Sequence, residues 1–575
     1  MFRKLFLVTA LALVASSSAH ALGTGRAAGT PVTPPKNPIA NPAQCLNCHT
    51  TINKLHTRGA HKDVNCGSCH DVTAEHSKSP SAKNRPVTHF EYEACSQCHQ
   101  EEHKDLMDPK YHYAWAQKKS EDTSYKFMRD NDNEYPNELQ SSLPRFHSGI
   151  LIDVATVRSD GRFQYKNPDD QFKPQSKLWD IVKDTRPEDG DDVKSGDVTS
   201  LTWRPHKGRG LMTVSYCLRC KSADYMMDVA YAGADVPGAT FKRDSKPIPI
   251  LKKVNNSFNC VYCHDPHSAE PRIIHDPLIA TMTDPTLKDN PYQRNVGKPG
   301  MTPIEVIDMG VRGFTRKIGI LKKYDSNYMC GQCHMSANQS LTLKDRTTGK
   351  GVTGGKPISG LSSKNMNMFA YGTSFSRDPL TMFNVYREKN LYNSIDKETG
   401  VMVGGSTTHP QVEMITQSVH GQNGVGCTDC HFAKKASGKL EHQPSLPLMK
   451  VQNTCMRSDC HGPGTKSNWQ TPSQAFYAIN TIQQKFRIRK DKWEWAGRDA
   501  RDLLIKAKNG EVEIPEPQYT KLKDAYEKHL IGRDFYWSDY SKSMHDPSGF
   551  EKVSSQIINE LKATTADAQK AVQKK

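Results

Sequence analysis

The sequence predicts a mainly α-helical fold with extensive loops, wrapped around bulky apolar bodies that are not protein. Three observations predict it. The chain is long, 575 residues, yet only 36% of it is hydrophobic, and its mean hydropathy is -0.70; so thin an apolar content argues for disorder or for a core filled by something else. Its 16 cysteines fall into short, regularly spaced pairs with none left over. Alternating strand patterns are nearly absent, whereas the last hundred residues carry apolar side chains at helical spacing.

The cysteines identify the missing core. Six pairs follow the pattern C-x-x-C-H: Cys45 and Cys48 with His49, Cys66 and Cys69 with His70, Cys95 and Cys98 with His99, Cys260 and Cys263 with His264, Cys330 and Cys333 with His334, and Cys427 and Cys430 with His431. In a seventh, Cys217 and Cys220, the following residue is Lys221; in the eighth, Cys455 and Cys460, four residues separate the cysteines before His461. Structural zinc explains a lone C-x-x-C, but it does not require a histidine directly after each second cysteine. Covalent haem does: two thiols bond to the vinyl groups and the adjacent histidine binds iron. The sequence therefore predicts eight haem c groups, which supply the flat apolar bodies around which a thin chain wraps.

The first residues predict the compartment. Arg3 and Lys4 precede an apolar run from Leu5 to Val14, and Ala19-His20-Ala21 forms a small-x-small cleavage site. The run is too short to span a bilayer. A periplasmic protein cleaved near Ala21 is expected, with residues 1–21 as signal peptide. The formal charge of +16 does not indicate nucleic acid, because the haem propionates add about sixteen negative charges if all ionise.

Residues 22–44 are rich in Gly and Pro and read as a flexible leader. Residues 45–216 form an N-terminal three-haem domain followed by a polar, cysteine-free connecting segment. Residues 217–470 carry the other five motifs, and residues 471–575 read as long helices. Tyr519, Leu522, Tyr526 and Leu530 share one helical face, as do Phe550, Val553, Ile557 and Leu561. Ser548 and Glu551 have capping-box spacing before the second face. These faces suit either packing in the core or a homo-oligomeric contact.

There are 23 histidines. Once the seven motif histidines and His20 are set aside, the supply of second axial ligands is ample. A haem held on both faces by protein only moves electrons, whereas one with an open face can bind substrate. Lys221 marks the exception. An amine binds iron only when deprotonated, so the site must depress its pKa. Such a ligand is out of place in a simple wire and suits a reaction centre.

With its motifs in this order, the chain resembles the ammonia-forming cytochrome c nitrite reductases. Residues from about 200 onward resemble the pentahaem enzymes, and the three extra motifs at the front resemble their octahaem relatives. The resemblance implies that the Lys221 haem is catalytic. It places His409, in "THPQVEMITQSVHGQNGVGCTDCH", at the catalytic histidine position, and makes His420, His442 and His545 distal iron ligands. It implies a catalytic arginine near the lysine haem, for which Arg204 and Arg209 are the candidates. For the first three haems the distal ligand is open among His56, His61, His76, His89, His103 and His112, with His147 as a candidate for the Cys330 haem.

The departures are equally specific. Where the family carries its calcium-binding Glu and catalytic Tyr after the third motif, this chain reads Met335-Ser336-Ala337. The calcium-site Lys and Gln are replaced by Ser406 and Thr408. Calcium is therefore not expected. The resemblance implies a multi-electron reductase of a small nitrogen oxyanion, nitrite or hydroxylamine to ammonia, supplied by a periplasmic or membrane-bound donor such as a quinol-oxidising cytochrome. A sulfur-oxyanion reductase and a non-enzymatic electron conduit are the alternatives.

Overall fold

A computed structural model of the chain describes residues 42–71, 73–81, 84, 86–106, 147, 157–159, 162–164, 210–211, 220–223, 258–283, 304–309, 317–335, 337–338, 343–351, 378–404, 407–539 and 541–574. Residues 1–21, expected to be a signal peptide, and Arg204, Arg209, Cys217, His112 and Ser406 lie outside the described residues.

The three N-terminal motifs lie among short helices, Ala43–Leu46, Thr50–His56, Ala74–Lys78, Tyr92–Ser96 and Gln100–Leu106. The motifs are too closely spaced for longer elements. This module rests on the stretch that follows the fourth C-x-x-C-H motif in the described core. Arg58 reaches Glu270 and Glu305 at 2.9 and 3.0 Å, the Ala60 amide donates to Ser268 O at 3.0 Å, and Asn259 Nδ2 donates to Phe90 O at 2.8 Å. Gly59 is required here, because a Cβ at this position would lie 2.1 Å from the Ser268 carbonyl oxygen.

Among the described residues the strands are short. The largest sheet that follows the module contact is antiparallel and three-stranded: β1 (Arg272–Ile273), β2 (Ile304–Asp308) and β3 (Lys317–Leu321), with β3 in the centre. Ile318 to Leu321 are all buried. A strand covered on both faces shows no alternation, which is why the sequence pattern hid it. A second pairing matters for the site. Strand β4 (Ala337–Asn338) runs antiparallel to β5 (Thr407–Thr408), with Thr408 opposite Ala337.

The C-terminal part is a three-helix assembly. Helix α1 (Pro472–Lys508) is the longest, and it packs with α2 (Glu516–Trp537) and α3 (Pro547–Ala571). Thr471 and Gln474 form a capping box at the start of α1 and Pro472 occupies its first turn, a combination readable in the sequence as a helix start. Phe486, Trp493, Ala496, Ala500 and Leu504 of α1 are buried against Leu522, Tyr526 and Leu530 of α2 and Phe550, Val553, Ile557 and Leu561 of α3. The two apolar faces read from the sequence are thus spent on each other. One cap differs from expectation. The α3 N-cap is Asp546, whose carboxylate accepts from Gly549 N at 3.0 Å. Pro547 takes the first helical position, where its missing N–H costs nothing, so the helix begins ahead of the Ser548 and Glu551 pair.

His529 sits inside this assembly, 3% exposed, with its ring against Trp493 and Tyr526. Burial, helped by the Arg533 charge, pushes its pKa down from 6.5 to about 3. Because the folded value is depressed, the unfolded chain binds the proton more readily. The stability this group contributes is complete above pH 6.5 and is lost as pH falls towards 3, a total on the order of 5 kcal/mol. His529→Leu is expected to flatten the pH dependence, between 4 and 6, of the helical signal retained at fixed denaturant. An unchanged slope would contradict this assignment.

Candidate haem sites and the histidine pairs

Seven histidines directly follow a motif cysteine, and each lies near a second histidine. Ring centroids are 6.4 Å apart for His49 and His76, 6.4 Å for His70 and His267, and 6.0 Å for His99 and His61. In the core they are 6.1 Å for His334 and His147, 6.2 Å for His431 and His545, and 6.0 Å for His461 and His420. Burial lowers the pKa of His264, and His442 is near enough to add to that shift. A metal bonds to an imidazole nitrogen at about 2 Å, so rings at these separations leave room for one ion between them. The donor set thus fits haem iron held on both faces.

The second ring nitrogens support this arrangement. His431 Nδ1 donates to Ser445 O at 3.0 Å, His264 Nδ1 to Ala269 O at 3.1 Å and His61 Nδ1 to Pro266 O at 2.8 Å. His70 Nδ1 meets Thr88 Oγ1 at 3.1 Å and His461 Nδ1 meets Ser467 Oγ at 2.8 Å. Engaging Nδ1 fixes the ring and leaves Nε2 for a metal. His545 Nδ1 lies 2.7 Å from Asp539 Oδ1; burial opposes its charge, but the carboxylate outweighs burial and raises its pKa. Burial pushes His431 and His70 down to about 4 and holds His334 well below the usual range. These three imidazoles are neutral at pH 7, the form that binds metal.

Other histidines named by the sequence are placed differently. Both ring nitrogens of His89 are engaged, by Glu91 at 3.1 Å and Asp71 at 2.8 Å. His56 Nε2 is bonded to Val64 O at 3.1 Å. The His103 ring lies against Tyr92. His267 was absent from the sequence candidates, although "CHDPH" places it three residues after His264.

The motif cysteines also lie near one another in succession. Cys45 lies beside Cys66, Cys69 near Cys95, and Cys95 beside Cys260. Cys263 lies near Cys330, Cys330 beside Cys427, and Cys430 near Cys455. Cys333 lies beside Cys220, which precedes Lys221. The attachment points therefore form an unbroken series with a branch, at the Cys330 motif, to the lysine motif. Lys221 itself is half-buried at that branch.

His409 is brought to the same place by backbone pairing. Thr408 opposes Ala337, and the Val412 amide donates to His334 O at 3.0 Å. These bonds fold the segment back on the third core motif, and the His409 ring comes to 5.9 Å from that of His334. His409 is exposed and has φ 61°, a left-handed conformation uncommon for histidine and more so before proline. Strain of this kind collects where a side chain must be aimed.

Comparison with known proteins agrees with the motifs. The profile described as cytochrome c552 matches residues 191–575. A cytochrome c-552 of Desulfotalea psychrophila is 28% identical over 147 residues, 24% of this chain and 25% of that one. A cytochrome c-552 of Bacteroides thetaiotaomicron is 24% identical over 276 residues, 47% of this chain and 43% of that one. The chain thus spans less than half the length of the curated relatives it matches. The cytochrome c nitrite reductase catalytic subunit of Desulfovibrio desulfuricans superposes with a TM-score of 0.42 at 16% identity, covering 62% of this chain and 66% of that one. From the family match and the motifs that lie within it, the chain belongs to the cytochrome c552 family and its cofactor is haem c.

Proposed function

We propose that the chain is a periplasmic octahaem cytochrome that reduces a small nitrogen oxyanion, nitrite or hydroxylamine to ammonia, at the haem of Cys217, Cys220 and Lys221. The observation that carries this reading is the histidine pairing. The seven motif histidines each have a histidine at hand, whereas the remaining motif brings a lysine to the branch of the series.

Haem, when bound, supplies one-electron chemistry and, where a face is open, a site for an anion. The protein residues do the rest. The paired histidines hold seven groups in contact order, so electrons accumulate close to the branch, as a six-electron reduction requires. His409, aimed at that branch, delivers protons as N–O bonds break, and Arg204 or Arg209 clamps the anion and polarises it. His420, His442 and His545 serve as distal ligands, as do His147, His76 and His61. The replacement of the family's tyrosine and calcium residues by Met335-Ser336-Ala337, Ser406 and Thr408 supports a site without calcium and a substrate preference of its own. An exposed stripe of Tyr477, Ile488 and Trp495 on α1 supports self-association through the C-terminal helices.

The test is turnover of the purified holoprotein with a viologen donor, comparing nitrite, hydroxylamine and sulfite. Ammonia formed from nitrite or hydroxylamine is the expected result. Sulfide from sulfite alone would move the assignment to sulfur oxyanions, and no turnover with any of them would favour a conduit.

A further inference from the structure

The tetrapeptide His264-Asp265-Pro266-His267 stands where the N-terminal module meets the core, and it touches the ligand pairs of three haem motifs. His264 belongs to the Cys260 motif. Pro266 O accepts the Nδ1 proton of His61, whose ring faces His99 of the Cys95 motif, 6.0 Å away. The ring of His267 faces that of His70, of the Cys66 motif, at 6.4 Å and nearly parallel, with 13° between the planes.

We infer that His267 is the second axial ligand of the haem held by Cys66, Cys69 and His70, so that this tetrapeptide is the junction through which electrons pass between module and core. The inference rests on the haem c assignment of the preceding section but not on the substrate. His70 is oriented for the role by Thr88, which occupies its Nδ1.

His267 is oriented by a buried turn. Asp265 is 0% exposed; its Oδ1 accepts the His267 amide at 3.0 Å and the Ser268 amide at 2.9 Å. Its Oδ2 takes Arg272 Nη1 at 3.1 Å, and Arg272 Nε donates to Val261 O at 2.9 Å. A carboxylate held by two amides and a buried guanidinium has one geometry available, and Pro266 removes a further torsion. Asp265 is therefore a positioning residue. Because His264 and His267 are three residues apart on this turn, the spacing between two irons of different modules is set by one rigid loop.

The test uses full-length oxidised holoprotein, with haem per chain measured alongside electron paramagnetic resonance. His267→Ala is expected to keep its haem content, lose one low-spin ferric haem and gain one high-spin haem. His267→Met is expected to stay low-spin and to raise the potential of one haem in a redox titration, as methionine in place of histidine does. His529→Leu, which alters a buried histidine of the C-terminal helices lying against Trp493, is expected to leave both readouts unchanged. Should His267→Ala fail to accumulate, the methionine variant decides. Spectra and titrations of both His267 variants matching the parent at full haem content would overturn the inference, as would the same changes arising from His529→Leu. Neither readout depends on nitrite turnover, so failure of the reductase reading is separately visible.

Discussion

His409→Asn is expected to lower nitrite turnover by about 10²–10⁴-fold, the usual contribution of a general acid, with haem content and low-spin signals unchanged. The expectation follows from placement. The β4–β5 pairing and the Val412–His334 hydrogen bond bring His409 beside the Cys330 motif, and Cys333 of that motif touches Cys220. Asparagine tolerates positive φ better than most residues, so it preserves the strained backbone while removing the proton donor. Steady-state kinetics across pH would check it. A variant with parental turnover would remove His409 from the reaction.

Much of this site was legible in the sequence because haem attachment is local chemistry. The two cysteines and the residue after them are adjacent in the chain, so each motif and its candidate iron ligand read off together. Distal ligands are different. His267 faces His70, nearly two hundred residues away in the chain, and was not among the sequence candidates, whereas His147, which faces His334 from within a cysteine-free stretch, was one. Such pairings are set by tertiary packing, which no spacing rule encodes. The order of the cysteines in space was likewise unreadable, since the branch to Cys220 at Cys333 joins the first and third motifs of the core. In the helical part the apolar faces of α2 and α3 were legible from their 3.6-residue period. Helix α1 carried a clear start at Thr471-Pro472 but hides its inner face among many charges, and strand β3 lost its alternation by being covered on both sides.

The largest expected effect on stability lies at Trp493. It is 0% exposed, and its ring meets His529, Tyr536 and Trp537 of α2 and Phe550 of α3. Gly532 permits this approach; a Cβ there would lie 2.6 Å from the indole. Trp493→Ala leaves a cavity that neighbouring rings cannot fill, at a cost of about 3–5 kcal/mol. Because haems bound to several segments violate two-state behaviour, the effect is best followed as loss of helical signal at fixed denaturant. Loss at lower denaturant, with early motifs still carrying haem, is the expected result. An unchanged midpoint would contradict the packing described for α1 to α3.

The central claim is that the lysine-bearing motif carries a substrate-accessible haem. Electron paramagnetic resonance of the oxidised protein, recorded before and after nitrite, tests it most directly. The account predicts a high-spin ferric signal that nitrite perturbs, and that is altered in Lys221→His. A spectrum that is low-spin throughout and indifferent to nitrite would contradict it, leaving a closed wire of haems.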